Sequence, residues 1–233
     1  MISVKNITKT FKDFEALKNL SIEVAQGEIY GLLGSNGAGK STTINILLGF
    51  LNPNSGEAFI NGINAVSEKL KTRKSIGYIP ENVNLYPYLT GIENLEYFCK
   101  LAGKSYNREN LKEILIECGL DFIAIDKKVN TYSKGMRQKV GIAIALAKEA
   151  RVYLLDEPAS GLDPLASTEL SKILKVLSKS GATIFMASHD IFRIRETCDR
   201  IGILKNGQLV KEMNTASVTT KELEKIYIEY MKD

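Results

Sequence analysis

The chain has 233 residues, of which 44% are hydrophobic and 25% are charged, a composition typical of a globular protein with a substantial core. The 31 Lys and Arg residues against 27 Asp and Glu residues give a net charge of +4, which does not by itself predict nucleic-acid binding. The three cysteines are far apart, which argues against a disulfide framework or a cysteine-based zinc site and favours a reducing compartment.

The sequence predicts neither a signal peptide nor a membrane-spanning helix. Polar and apolar residues alternate from the N-terminus onward, and no apolar run approaches the roughly 18 residues that a spanning helix needs. If the protein works at a membrane, we expect a partner to supply the membrane part.

Two kinds of strand are predicted. Alternating residues at 2–7, 17–24 and 57–61 are typical of an antiparallel sheet. Continuous apolar runs at 29–33, 152–155 and 183–186 are typical of a parallel sheet that is buried on both faces. Helical stretches alternate with these runs, and one of them is a helix predicted at about 40–48. The pattern predicts an α/β core with an N-terminal antiparallel subdomain.

Residues from about 82 to 148 show helical spacing without a comparable strand, so we predict an inserted α-helical subdomain. Its helices are expected at about 93–101, 110–118 and 134–148. The tail, about 201–233, is expected to form a hairpin around Asn206-Gly207 and an amphipathic helix at about 220–231. No linker separates these parts, and we predict a single domain over residues 1–233.

A phosphate loop lies between the strand at 29–33 and the following helix, with the pattern G-x4-G-K-[ST]. Glycines let the backbone N–H groups curl around phosphate oxygens, and the helix N-terminus adds partial positive charge. Lys40 supplies a point charge for the phosphates, and the Ser41 hydroxyl is suited to Mg²⁺. The residues of the loop are Gly34, Ser35, Asn36, Gly37, Ala38, Gly39, Lys40, Ser41 and Thr42.

Two carboxylates follow the apolar run at 152–155. Strand ends of a parallel sheet open onto the ligand crevice, which places Asp156 and Glu157 beside the phosphate loop. Asp156 is expected to hold Mg²⁺ through water, and Glu157 to orient or deprotonate an attacking water.

In order along the chain, these motifs resemble the ATP-binding subunit of an ABC transporter over nearly its full length. Glu81 follows Ile-Pro where the family has its Q-loop, and Ser133 and Gly135 stand in the signature segment 132–136. Segment 160–163 resembles the D-loop, and His189 stands at the switch histidine. The resemblance implies a nucleotide-hydrolase core of the P-loop type, with ATP and Mg²⁺ as cofactors.

The family also implies roles for single residues. Phe11, with Phe14 as a competing ring, would stack on adenine, and His189 would sense the γ-phosphate. Ser133 and Gly135 would bind the nucleotide held by the opposite subunit of a head-to-tail dimer. Asp163 would couple the two sites.

Two departures from the commonest family pattern make the predicted metal site and subfamily more specific. Glu81 replaces the usual Gln; its carboxylate either ligates Mg²⁺ or stays withdrawn until closure, and we hypothesise that it ligates Mg²⁺. The signature Tyr-Ser-Lys-Gly-Met resembles the subfamily that exports drugs, antibiotics, lantibiotics, ions or polysaccharides. Tyr86 and Tyr88 follow Glu81, and we expect them to border a groove for a cytoplasmic helix of the membrane partner.

The sequence therefore predicts the ATPase subunit of an ABC exporter on the cytoplasmic face of a bacterial or archaeal membrane. Its expected partners are an integral membrane subunit and a second ATPase chain, either identical or related, with no nucleic acid. An ABC importer or cell-division-type ATPase is the alternative. An ABC ATPase of DNA repair, chromosome maintenance or translation is disfavoured, because the chain has one cassette, no long heptad stretch and no metal-spaced cysteines.

Overall fold

The computed structural model describes residues 1–232; Asp233, the last residue of the predicted domain, lies outside the described residues. The strands are β1 (Ile2–Phe11), β2 (Phe14–Val24), β3 (Ile29–Leu33), β4 (Ser55–Ile60), β5 (Ile63–Asn64), β6 (Ile76–Ile79), β7 (Val152–Asp156), β8 (Thr183–Ser188), β9 (Arg200–Lys205) and β10 (Gln208–Asn214). The helices are α1 (Lys40–Leu47), α2 (Lys69–Lys74), α3 (Gly91–Leu101), α4 (Arg108–Glu117), α5 (Lys134–Ala147), α6 (Pro164–Lys179), α7 (Ile191–Thr197) and α8 (Thr220–Met231). Within residues 1–232, no helix is long and apolar enough to cross a bilayer.

One sheet is antiparallel, with the strand order β2-β1-β4-β5. Its middle strand β1 places Ile2 opposite Val24 of β2 and opposite Ile60 of β4. β1 and β2 are longer than the predicted strands, because register shifts in β1 after Val4, Ile7 and Lys9 break the polar–apolar alternation. The longer strands end in a tight turn beyond the Phe11–Phe14 pair.

The second sheet has six strands in the order β10-β9-β3-β8-β7-β6. Every neighbouring pair is parallel except β9–β10. β6 is absent from the predicted strands, because Gly77 interrupts its apolar run and Pro80 follows it. A Cβ atom at Gly77 would lie 2.6 Å from Cδ1 of Tyr153 on β7, so the close approach of these strands requires glycine. The fold class predicted from the sequence is confirmed.

The parallel sheet is buried on both faces, as its apolar runs predict. Leu32 of β3 and Leu154 of β7 pack towards α1 and the antiparallel sheet. The next residues along the same strands, Leu33 and Leu155, pack into a second core with the helices of the other face. All four side chains have no exposed surface, which fixes the carboxyl ends of β3, β7 and β8 relative to one another.

The helical segment and the tail also follow the predicted pattern. α3, α4 and α5 lie between residues 82 and 148, and the described chain has no strand there. The β9–β10 hairpin turns at Asn206 and Gly207, whose φ values of 47° and 80° are those of a type I′ turn. α8 has the predicted bounds.

Candidate functional site

The phosphate loop joins the buried strand β3 to α1, and its shape depends on glycine. Gly39 has φ +111°, and a Cβ atom there would lie 2.6 Å from the carbonyl oxygen of Ala16. Gly37 also has positive φ, at +82°, but faces open space. Gly39 is therefore required by contact and conformation together, whereas Gly37 is required by conformation alone. The loop presents its backbone N–H groups at the N-terminus of α1.

The side chain of Lys40 folds back onto the phosphate loop. Its buried ammonium donates hydrogen bonds to the carbonyl oxygens of Gly34 at 2.7 Å and Ser35 at 3.1 Å. Its Nζ also lies 3.5 Å from Oε1 of Glu157, so cation and carboxylate, both largely buried, neutralise each other. A phosphate that binds here exchanges part of these contacts for its own.

Asp156 ends β7 with a buried carboxylate whose Oδ1 has no hydrogen-bond partner among the described residues. Burial raises the pKa of Asp156, while a hydrogen bond from Ser41 lowers the pKa less strongly. The negative charges of Glu157 and Glu81 add to the rise in this pKa. A buried, unpartnered carboxylate oxygen near a hydroxyl fits Mg²⁺, which uses one or two protein carboxylates and otherwise binds water and substrate phosphates.

Glu157 and His189 lie together at the ends of β7 and β8. Oε1 of Glu157 lies 2.8 Å from Nδ1 of His189, and Oε2 accepts a hydrogen bond from the Ser188 hydroxyl at 2.9 Å. The backbone of Glu157 has φ +45°, a left-handed conformation that non-glycine residues seldom adopt and that is common at functional sites. These contacts hold the carboxylate in one orientation above the phosphate loop.

A cavity of about 290 Å³ connects the loop with these side chains. Its lining includes the following predicted residues: Phe11, Asn36, Gly37, Gly39, Lys40, Ser41, Thr42, Glu81, Glu157 and His189. Phe14 and Ala16 line it too. Phe11 and Phe14 face each other across the β1–β2 turn and are 41% and 60% exposed, so both rings are available at the same end of the cavity. The structure does not single out either ring.

Ser133 and Gly135 do not line this cavity. Ser133 is exposed and caps α5, its Oγ accepting a hydrogen bond from the N–H of Met136 at 3.2 Å. Asp163 caps α6 in the same way, accepting from the N–H of Ala166 at 2.9 Å. The signature turn (Ser133–Gly135) is therefore an exposed helix N-terminus that is free to face a second molecule.

Two residues of the site are absent from the sequence prediction. Ser188 holds Glu157, and its only sequence signal is its position directly before His189. Gln138 is buried in α5, and its Nε2 donates to the carbonyl oxygens of Pro158 at 3.1 Å and Pro80 at 3.4 Å. It thereby joins the segments next to Glu157 and Glu81, a contact that sequence spacing does not reveal.

Two protein-family models and several bacterial proteins match the chain. Residues 17–160 match the family described as ABC transporter, and residues 128–194 match a shorter AAA domain description, putative AbiEii toxin. The chain is 38% identical to the uncharacterized ABC transporter ATP-binding protein YdbJ of Bacillus subtilis, over 98% of this chain and 74% of that protein. It is also 38% identical to the bacitracin transport ATP-binding protein BcrA of Bacillus licheniformis, over 91% of this chain and 69% of that protein.

A solved structure shows the same architecture. It is a dimer of the ATP-binding cassette MJ0796 in a post-hydrolysis state with bound ADP and Pi. The TM-score is 0.85 and the identity 31%, with 92% of this chain and 99% of that chain covered.

Proposed function

The chain belongs to the ABC transporter family as an ATP-binding ATPase subunit, and from this premise we propose that it is the motor of an exporter. The observation that carries the proposal is the cluster of Lys40, Glu157 and His189 at one cavity, together with a signature turn that is exposed outside that cavity. The export direction is supported by the Tyr-Ser-Lys-Gly-Met signature and by similarity to the bacitracin transport ATP-binding protein.

In the proposed reaction, the phosphate loop and Lys40 bind the phosphates of ATP, and Phe11 or Phe14 packs on adenine. Glu157 accepts a proton from the attacking water, since its carboxylate is already oriented by Ser188 and lies at the cavity wall. His189 is 59% exposed in its side chain, which leaves the ring able to turn from Glu157 to the γ-phosphate. Hydrolysis and release of phosphate then restore the Lys40–Glu157 contact.

We propose that Mg²⁺ is held by Ser41 and Glu81, which line the cavity, and by the buried Asp156, which does not line it. Bound Mg²⁺ supplies charge stabilisation for the phosphate oxygens during transfer. Asp156 offers the unpartnered Oδ1, and the Ser41 hydroxyl interacts with the same carboxylate. Glu81 adds an anionic oxygen at the open side of the cavity, where its field already reaches Asp156.

Replacing Asp156 with Asn should make the metal-free protein more stable at pH 7. Because burial raises the folded-state pKa of Asp156, its charged form destabilises the fold above that pKa, and this penalty disappears as the pH falls through it. The neutral amide removes the penalty, which predicts a gain of about 0.5–2 kcal/mol in the free energy of unfolding. Thermal melts with EDTA measure this gain, and melts with ATP and Mg²⁺ should show that the metal-dependent stabilisation of the wild type is lost.

The control for this prediction is Asp126→Asn, which removes an exposed carboxylate paired with Arg108. It should leave the metal-dependent stabilisation unchanged. A decrease in stability of Asp156→Asn in EDTA, or full retention of its Mg²⁺ response, would contradict the assignment of Asp156.

We propose that two ATPase chains bind head to tail, the second being identical or a related subunit. Support comes from Ser133 and Gly135, which lie outside their own cavity at an exposed helix N-terminus. A helix N-terminus attracts phosphate, and the nucleotide bound in the cavity of a second chain would supply that phosphate. Asp163, at the start of α6, lies in the loop that would run along such an interface.

We propose that the membrane subunit docks beside Tyr86 and Tyr88. Asn94 is fully buried and fixes this loop, its Oδ1 accepting from the Tyr86 N–H at 2.8 Å. The Tyr86 ring packs edge-on against Tyr97 at 4.9 Å, whereas Tyr88 is 78% exposed. A neighbouring groove of about 760 Å³ lies between α2, β6, α3 and α5. A rigid apolar rim beside a groove suits a short helix of a partner.

The proposed function is tested by purification of the tagged chain from native membranes in mild detergent. We expect a multi-spanning membrane protein to be recovered with the wild-type chain, because we propose that the chain binds it at the cytoplasmic face of the membrane. Tyr88→Ala should lower that recovery, whereas Phe122→Ala, which removes another well-exposed aromatic ring elsewhere, should not. Recovery of soluble factors or nucleic acid alone would contradict a transport role and favour an ABC ATPase of DNA repair or translation.

A further inference from the structure

The signature turn is attached within its own chain to the loop that follows Glu157. The ammonium of Lys134 donates a hydrogen bond to the Ser160 hydroxyl at 2.8 Å. Its aliphatic stem lies over Gly161, where a Cβ atom would come within 2.9 Å of Cδ of Lys134. Glycine at position 161 therefore gives Lys134 the room to reach Ser160.

Two further contacts make this attachment rigid. Gly135 packs so closely that a Cβ atom there would lie 2.8 Å from the carbonyl oxygen of Gly161. One helical turn beyond Lys134, the buried Gln138 donates to the carbonyl oxygen of Pro158. The first turn of α5 and residues 158–161 therefore move together or not at all.

The same loop is hydrogen-bonded to the backbone of Glu157, the residue that carries the reactive carboxylate. The N–H of Ser160 donates to the carbonyl oxygen of Glu157 at 2.9 Å, and the Glu157 side chain contacts His189. A short series of contacts thus runs from Lys134 through Ser160 to Glu157. Because residues 157–160 form one hydrogen-bonded turn, a shift of the loop moves the backbone that carries the Glu157 carboxylate.

We propose that Lys134 is a positioning residue that couples the two nucleotide sites of the dimer, through its hydrogen bond to Ser160. The proposal rests on the head-to-tail pair of the proposed function. In that pair, the signature turn touches the nucleotide of one site while Glu157 of the same chain serves the other. Nucleotide arriving at the turn therefore fixes Lys134 and Ser160, and with them the Glu157 carboxylate.

The test is a comparison of Lys134→Ala, Ser160→Ala and the double variant in steady-state ATP hydrolysis. We expect the Hill coefficient to fall from about 2 in the wild type to about 1 in each single variant. The ATP concentration for half-maximal rate should rise about 3–10-fold, which corresponds to the loss of one solvent-exposed hydrogen bond. The double variant should show no further change, because both substitutions remove the same contact. ADP binding by calorimetry should stay within about twofold in all three, since the phosphate loop is untouched.

Two controls separate coupling from a merely structural role. Lys134→Arg retains an N–H donor and should keep the wild-type Hill coefficient. Lys128→Ala removes an exposed cation near the same turn and should have no effect.

The outcomes separate this proposal from the proposed function. Cooperativity and an ATP-dependent dimer in the wild type, with an unchanged Hill coefficient in Lys134→Ala, overturn the coupling role alone. An effect of Lys134→Ala without one of Ser160→Ala, or additive effects of the two, also overturns it, since Lys134 then acts directly on phosphate. A wild type with neither dimer nor cooperativity overturns both proposals.

Discussion

Replacing Glu157 with Gln should lower the rate of ATP hydrolysis by about 10²–10⁴-fold while ATP still binds. The amide has nearly the size of the carboxylate and still accepts a hydrogen bond from Ser188, but it cannot accept a proton from water. The substitution also removes the anion that lies 3.5 Å from Lys40, so the lysine is freer to meet phosphate and the ATP affinity should not fall. Single-turnover hydrolysis measures the first effect, and equilibrium binding of ATP measures the second.

The matched control is Glu68→Gln, which removes an exposed carboxylate that pairs with Lys71 on α2. It should hydrolyse ATP at the wild-type rate. A Glu157→Gln variant that keeps its rate within about threefold would contradict the role of Glu157 as general base, because loss of a positioned base costs at least about 10²-fold.

Replacing Lys40 with Ala should raise the dissociation constant for ATP by about 30–1000-fold, which corresponds to about 2–4 kcal/mol. The ammonium is buried at the loop, and its present partners are two carbonyl oxygens and Glu157, all of which a phosphate can replace. Without the cation, the buried Glu157 carboxylate faces incoming phosphate alone, so repulsion adds to the lost attraction. Equilibrium binding of ATP measures the change.

Because Lys40 also balances a buried carboxylate, its loss is expected to lower stability as well. Binding is therefore measured well below the melting temperature, with circular dichroism on the same sample. Lys71→Ala, which removes an exposed lysine, is the control and should bind ATP normally. A folded Lys40→Ala variant that binds ATP within about threefold of the wild type would contradict the assignment of the phosphate loop, since a charged hydrogen bond contributes more than that.

The phosphate loop and the strands around it could be predicted because local sequence determines them. Gly39 must be glycine for its own φ and its own neighbour, and this requirement is visible as a motif. The apolar runs of β3, β7 and β8 are continuous because both faces of each strand are buried. Because the carboxyl ends of these strands meet at one edge of the sheet, the sequence alone predicts that Asp156 and Glu157 lie beside the loop.

Other parts of the site depend on contacts between distant segments, which spacing does not encode. Gln138 reaches Pro80 and Pro158 across the fold, and its role is visible only after α5 is placed. β6 is hidden because the glycine that admits the Tyr153 ring also interrupts its apolar pattern.

Two aromatic rings, rather than one, are candidates for stacking on adenine, and the reason is local. Phe11 and Phe14 are cross-strand neighbours at one turn, so sequence and structure alike bring both rings to the cavity. Only a bound nucleotide distinguishes them.

In the proposed motor, ATP joins two of these chains across their cavities and signature turns. Light scattering of the Glu157→Gln variant during gel filtration with ATP and Mg²⁺ tests it most directly, because slow hydrolysis preserves the nucleotide. We expect a species of twice the 25.8 kDa of one chain, reverting to a single chain without nucleotide. If this chain pairs only with a related subunit, the dimer forms when that subunit is added. A mass of one chain under all of these conditions would contradict the head-to-tail arrangement.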